Sequence, residues 1–227
     1  MLSFKPTFSL SSFTFINLDT VLAGSDIITM HIPVNDTTRG MADASFFAKM
    51  KPGAFFINTA QGELVVEQDL IDAIPRLGPV ALDAWCHEPD VNRQLLELVD
   101  IATPHIAGYS ADGKANGTTM SVHTVAARLG LPLQDWRPAG IPAPAQPLSF
   151  ALDAAGKSLQ EVLSEALLYT YDILADDRAL RAHPDRFEQL RGDYPVRREP
   201  AAFTVRLRGG TEEMAARLRA LGFLVEE

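Results

Sequence analysis

Between residues 26 and 103 four short apolar runs alternate with helical patterns, and this alternation decides most of the fold. The runs are residues 26–32 (DIITMHI), 54–58 (AFFIN), 79–83 (PVALD) and 101–103 (IAT). The first is β-branched and nearly continuous, as a strand buried on both faces should be. Between the runs, residues 43–53, 66–74 and a stretch within 91–100 read as short helices. Asp43 stands at the N-cap of the first of these, and Pro52-Gly53 stops it. Strands separated by single helices make βαβ units and hence a parallel sheet. The right-handed crossover then leaves few arrangements.

Downstream the pattern changes. A long helix is expected from Gly113 to Leu129, ended by Gly130 and Pro132. Residues 131–147 hold five prolines and no helical period, which makes them a linker. Residues 151–180 read as helix with a break near Asp172. A strand over 202–208, a Gly209-Gly210 turn, a helix over 211–222 capped by Thr211 and a strand over 223–227 close the chain. The division expected is a leader (1–14), a nucleotide-binding part with its return helix (15–130), the linker (131–147) and a second domain (148–227).

The formal charge of −9, with no Lys/Arg cluster against it, argues against a nucleic-acid partner. Cys86 is the single cysteine, so no intrachain disulfide can form and no cysteine-rich metal site can be built. The first residues lack the apolar core of a signal peptide, and no segment approaches the length of a membrane span. A cytoplasmic protein without a membrane partner is expected.

Ligands of doubly wound sheets bind beyond the carboxyl ends of the strands. Here those ends carry His31, then Asn58 to Gln61, then Asp83 to Glu88, then His105. Strand ends border loops, and loops are polar in any case, so position alone does not separate function from solvation. His105 with Glu88 is the sharper pair: an imidazole takes a hydroxyl proton near neutral pH, and a carboxylate on its other nitrogen fixes the tautomer. Cys86 and His87 suggest a metal or nucleophile pair, but neighbours on an extended segment point apart, and no metal site is expected.

Residues 25–34, 50–65, 82–90 and 104–118 together resemble the NAD-dependent D-2-hydroxyacid dehydrogenases. The Tyr109-Ser110, Gly113-Lys114 and Gly117-Thr118 pattern and the tail over 171–199 are similar to one branch of that family. This branch oxidises a phosphorylated 2-hydroxy acid and carries a C-terminal dimerisation domain. The resemblance implies an α/β fold: a partial doubly wound, Rossmann-like parallel sheet followed by a small α+β dimerisation domain. It also implies a homodimer and a hydride transfer to NAD. His105 would take the substrate's hydroxyl proton, Glu88 would hold His105, and Asp83 would orient the nicotinamide carboxamide. His31, Pro33, Asn58 and Gly108 would lie on the cofactor side.

The sequence departs from the family in three places. The family's Asn-x-x-Arg-Gly motif has Gln61 where the arginine belongs, and a planar guanidinium there would grip the substrate carboxylate in two places. Losing that charge is expected to lower turnover on the order of a hundredfold to a thousandfold. The family's Trp-Glu-Gly-Glu-Pro reads Trp85-Cys86-His87-Glu88-Pro89. No Gly-x-Gly-x-x-Gly occurs, so the turn that brings a helix N-terminus to a pyrophosphate is missing. The chain looks like the downstream part of a dehydrogenase, with weak or lost NAD binding, an unpaired edge strand and uncovered apolar surface. Two readings follow. One is an enzyme completed by a separately encoded N-terminal half; the other is a non-catalytic remnant that keeps only dimerisation.

Overall fold

The computed structural model describes residues 17–226; the expected leader lies outside them. Helix α1 (Leu18–Gly24) leads into β1 (Ile27–Met30), α2 (Ala44–Lys49), β2 (Phe55–Asn58), α3 (Glu67–Ala73), β3 (Val80–Leu82), α4 (Arg93–Leu98) and β4 (Ile101–Ala102). The four strands form one sheet in the order β1-β2-β3-β4, and every pair is parallel. The expected α/β architecture is therefore present, and the carboxyl ends of all four strands lie along one edge. Helix α1 is an addition to the sequence reading; Asn17 caps it by accepting from the Thr20 amide at 2.8 Å.

The first core shows why these short elements hold. Asp43 accepts from the Phe46 amide at 2.9 Å, which fixes the start of α2. Phe46 and Phe47 then face the sheet, and Phe47 meets Phe56 of β2 edge-on with ring centroids 5.2 Å apart. Phe47 and Phe56 are fully buried, each contributing roughly 1.5–3 kcal/mol by its removal from water. Helices of six residues leave most of their end carbonyls orphaned. Two arginines answer that: Arg76 donates to the Phe47 and Met50 carbonyls at the end of α2, and Arg181 donates to the Leu96 and Val99 carbonyls at the end of α4.

Helix α5 (Ala111–Leu129) begins earlier than expected, because Ser110 accepts from the Gly113 amide at 3.0 Å and so caps it. It ends as expected at Gly130, which takes the left-handed conformation with φ 66°. Thr119 and Ala126 are its buried residues, whereas Met120, Val125 and Leu129 are exposed.

Beyond the proline-rich stretch come β5 (Ser149–Asp153), α6 (Leu159–Thr170), α7 (Ile173–Ala182), α8 (Phe187–Gly192), β6 (Thr204–Arg208), α9 (Glu212–Ala220) and β7 (Leu224–Glu226). Residues 151–157 correct the sequence reading, which opened a helix there. The burial pattern is strictly alternating, with Phe150, Leu152 and Ala154 inside and Ala151 and Asp153 outside, so the segment satisfies a strand and not a helix. The helix starts only at Ser158, whose hydroxyl and backbone form a capping box with Glu161. The expected break near Asp172 is real: Asp172 caps α7 by accepting from Ala175.

Strands β5-β6-β7 form a second parallel sheet with its own buried cluster, which includes Phe150, Val162, Val205 and Leu218. Helices α7 and α8, although they follow the proline-rich stretch, contribute Leu180 and Phe187 to the first core. Strand β1 is an edge of the first sheet, and its Ile27 pairs in register with Phe55. Both point to one face and are 57% and 41% exposed, so that part of the face carries exposed apolar side chains among the described residues. Among the described residues no helix is long and apolar enough to cross a membrane.

Candidate active site

The end of β3 is the anchor of the site. Asp83 is buried, and its carboxylate collects three donors from the segment after β4. Oδ1 accepts from the Thr103 hydroxyl at 2.6 Å and the Ile106 amide at 2.8 Å; Oδ2 accepts from the Ala107 amide at 2.9 Å. These bonds bend the chain around position 105. Trp85, also buried, donates its indole N–H to the Thr103 carbonyl at 3.0 Å and holds the same segment from the other side.

His105 is the only non-glycine with positive φ among the described residues, at 57°. That conformation is unfavourable by about 1–2 kcal/mol for most L-residues, and histidine is among those that tolerate it more often. It turns the ring out of the strand line towards Glu88, with Nδ1 at 2.9 and 2.8 Å from the two carboxylate oxygens. Glu88 in turn accepts from the Trp85 amide at 3.0 Å. Facing a carboxylate, Nδ1 is the donor, so in the neutral ring Nδ1 carries the hydrogen and Nε2 keeps its lone pair. No hydrogen-bond partner of Nε2 occurs among the described residues. The Glu88 bond raises the imidazole pKa above its ordinary value; burial and Arg191 pull it down, and the Asp83 charge adds to the rise. The pair predicted from sequence is thus brought together, and it forms a proton acceptor whose tautomer is fixed.

Other sequence candidates stand at the same edge with different surroundings. Asn58 is fully buried and folds the next turn over the end of β2: its amide donates to the Gln61 carbonyl at 2.9 Å, and its oxygen accepts from Ala60 at 3.1 Å. Gln61 itself is exposed and contributes its backbone to that turn. Gly62, which sequence reasoning passed over, has a strict steric reason: a Cβ there would lie 1.9 Å from the Trp85 carbonyl carbon. His31 is exposed and shares a hydrogen bond with the Thr29 hydroxyl at 2.9 Å. The Pro33 carbonyl accepts from Thr38 at 2.7 Å. Gly108 is exposed, and a side chain there would meet open space. His31 and Pro33 therefore lie at the β1 end, with no contact to the His105–Glu88 pair among the hydrogen bonds of the described residues.

A cavity of about 730 Å³ opens beside Asp83, lined by Thr59, Thr103, Ala107, Tyr171 and Arg197 among others. That volume lies within the range of small-molecule sites. Arg197 donates to the Ile106 and Ala107 carbonyls at 3.0 and 2.8 Å while its guanidinium lies 4.2 Å over the Tyr171 ring. Arg198 pairs with Asp112 at 2.8 Å, so its charge is taken up within the chain. Sequence alone gave no sign that Arg197 grips the loop after His105, since the two lie some ninety positions apart.

Residues 4–107 match the model of the D-isomer specific 2-hydroxyacid dehydrogenase NAD binding domain, and residues 145–222 match a domain of unknown function, DUF3410. An erythronate-4-phosphate dehydrogenase of Bacteroides thetaiotaomicron is 41% identical over 199 residues, covering 85% of this chain and 54% of that protein. One from Ectopseudomonas mendocina is 35% identical over 218 residues, covering 92% of this chain and 57% of the other. The chain thus spans about half the length of the curated relatives it matches. A solved D-lactate dehydrogenase from Aquifex aeolicus, complexed with NAD and lactic acid, aligns with a TM-score of 0.43 at 27% identity, over 52% of this chain and 41% of that one. The parallel sheet and the strand-end dyad accord with the matched domain: residues 4–107 are similar to the NAD binding domain of the D-isomer specific 2-hydroxyacid dehydrogenases, and the chain is similar to about half of an erythronate-4-phosphate dehydrogenase.

Proposed function

We propose that this chain supplies the acid–base and nicotinamide side of an NAD-dependent oxidation of erythronate 4-phosphate to its 2-oxo acid, a step towards pyridoxal 5'-phosphate. The observation that carries this reading is His105 Nδ1 held on the Glu88 carboxylate at 2.8 Å beyond the end of β4. The names of the relatives supply the substrate.

The residues present fit one end of the cofactor. Asp83 Oδ2 accepts one hydrogen bond from this chain and retains acceptor capacity beside the cavity, which suits a carboxamide N–H₂. The phosphate end is not matched, because the sequence has no Gly-x-Gly-x-x-Gly. When bound, NAD supplies the acceptor for the hydride that leaves C2 of the substrate. His105 Nε2 takes the hydroxyl proton as the carbonyl forms, Glu88 stabilises the imidazolium, and Asp83 keeps the loop that carries His105 in place. Homodimerisation through residues 148–227 and a cytoplasmic location complete the proposal.

Gln61 defines the second reading, a remnant that keeps dimerisation and has lost its chemistry. Its side chain is exposed and neutral where the family resemblance calls for a guanidinium. In an active assembly Gln61→Arg is expected to raise kcat about a hundredfold to a thousandfold. An unchanged rate would mean that position 61 does not meet the substrate.

The deciding experiment is calorimetric titration of the folded chain with NADH in low salt, after its oligomeric state has been measured. Weak, saturable binding that Asp83→Asn weakens further is the expected result. Micromolar binding would show that the residues present also hold the phosphate end. No heat at millimolar NADH would favour the remnant.

A further inference from the structure

Arg191 reaches the acid–base pair from α8, on the far side of the proline-rich stretch. Its Nη1 stands 3.8 Å from Glu88 Oε2, the same oxygen that lies 2.8 Å from His105 Nδ1. Its Nε is buried without a hydrogen-bond partner among the described residues. The guanidinium carbon lies 5.9 Å from the ring centre of Phe187, itself buried in the first core. Leaving a buried donor unsatisfied is unfavourable, so packing alone does not explain an arginine here; a methionine would fill similar space without that penalty.

The charge has a use of its own. A carboxylate on Nδ1 makes the imidazole a stronger base, but it also tends to keep it protonated, and a protonated imidazole accepts nothing. A second cation on the same carboxylate opposes that tendency. We infer that Arg191 is a positioning residue for the acid–base group: it shares Glu88 with His105 and so limits how strongly that carboxylate holds the imidazolium. The inference rests on the reading of His105 as the proton acceptor. Glu88 from the loop after β3, Asp83 from the strand end and Arg191 from α8 are the charged groups brought to bear on His105.

The test is an NMR titration of the imidazole signals in the full chain, with His105→Asn to assign the resonance. Arg191→Met is expected to move the His105 midpoint upward, and Arg191→Lys to leave it near the parent value. Should Arg191→Met not fold, Arg191→Gln gives the same reading with a polar head. An unchanged midpoint in a folded, uncharged variant overturns the inference, as does an equal shift in the methionine and lysine variants. No cofactor or substrate enters the measurement. Failure of the dehydrogenase reading, seen in the NADH titration, is therefore distinct from failure of this one.

Discussion

Replacing His105 by asparagine is expected to lower the rate of erythronate 4-phosphate oxidation, in any assembly that shows it, by about a hundredfold to ten-thousandfold. Asparagine suits the test because it tolerates the left-handed backbone that His105 occupies at φ 57°, so the fold should survive the change. What disappears is Nε2, the nitrogen left unoccupied when Nδ1 is tied to Glu88. The rate is read as NADH absorbance, and NADH affinity is measured beside it. A variant that keeps the parental rate would remove His105 from the chemistry. The pH dependence has a definite sign. Because Glu88 raises the imidazole pKa, oxidation, which needs the neutral ring, rises as pH climbs through that raised value. Reduction, which needs the imidazolium, falls over the same window. The same pair acts on folding: its stabilisation is fully present below the unfolded imidazole's pKa and is lost as pH rises through the raised folded one.

The second large effect concerns Asp83, and it is one of stability. Asp83→Ala is expected to lose about 3–5 kcal/mol, because three donors aimed at a buried carboxylate are left without an acceptor. Those donors are the Thr103 hydroxyl and the Ile106 and Ala107 amides, and two of them belong to the loop that carries His105. Asp83→Asn separates charge from geometry. Its oxygen can still serve Thr103 and Ile106, but its amide would point a donor at the Ala107 N–H, so an intermediate loss of about 1–3 kcal/mol is expected. Urea unfolding measures both. If Asp83→Ala unfolds at the parental midpoint, Asp83 does not organise the loop. In either variant the Nδ1 contact to Glu88 should loosen, visible as a His105 titration closer to that of a free imidazole.

Much of this site could be read from the chain because it lies at strand ends, and strand ends follow from local pattern. His31, Asn58, Asp83 and His105 each fall at or just beyond the end of a strand, so their shared edge was implied once the strands were parallel. The pairing of His105 with Glu88 needed the family resemblance as well, since seventeen residues of separation specify no contact. Residues 151–157 were misread because Ala151, Ala154 and Ala155 favour helix locally, while the alternation of Phe150, Leu152 and Ala154 is satisfied only against a second sheet. Arg181, Arg191 and Arg197 were not assignable for a different reason. Each acts on a residue some eighty to a hundred positions away, and arginine on a surface-like segment looks the same whether it meets water or a backbone carbonyl.

Those long-range arginine contacts have a consequence for the order in which the molecule can be made. Asp177 accepts from the Ala102 amide at the edge of β4, Arg181 closes the carbonyls beyond α4, and Arg197 closes those at Ile106 and Ala107. As the chain leaves the ribosome, the four strands of the first sheet are complete long before α7 and α8 exist. Until then the open side of β4 presents unpaired backbone, and the His105 loop lacks its outer clasp. Closing a gap of this size carries a loop entropy that grows only slowly with length, so the delay is one of synthesis more than of search. During that interval the nascent protein has its four strands and an unfinished His105 loop, the state in which a chaperone has most to protect.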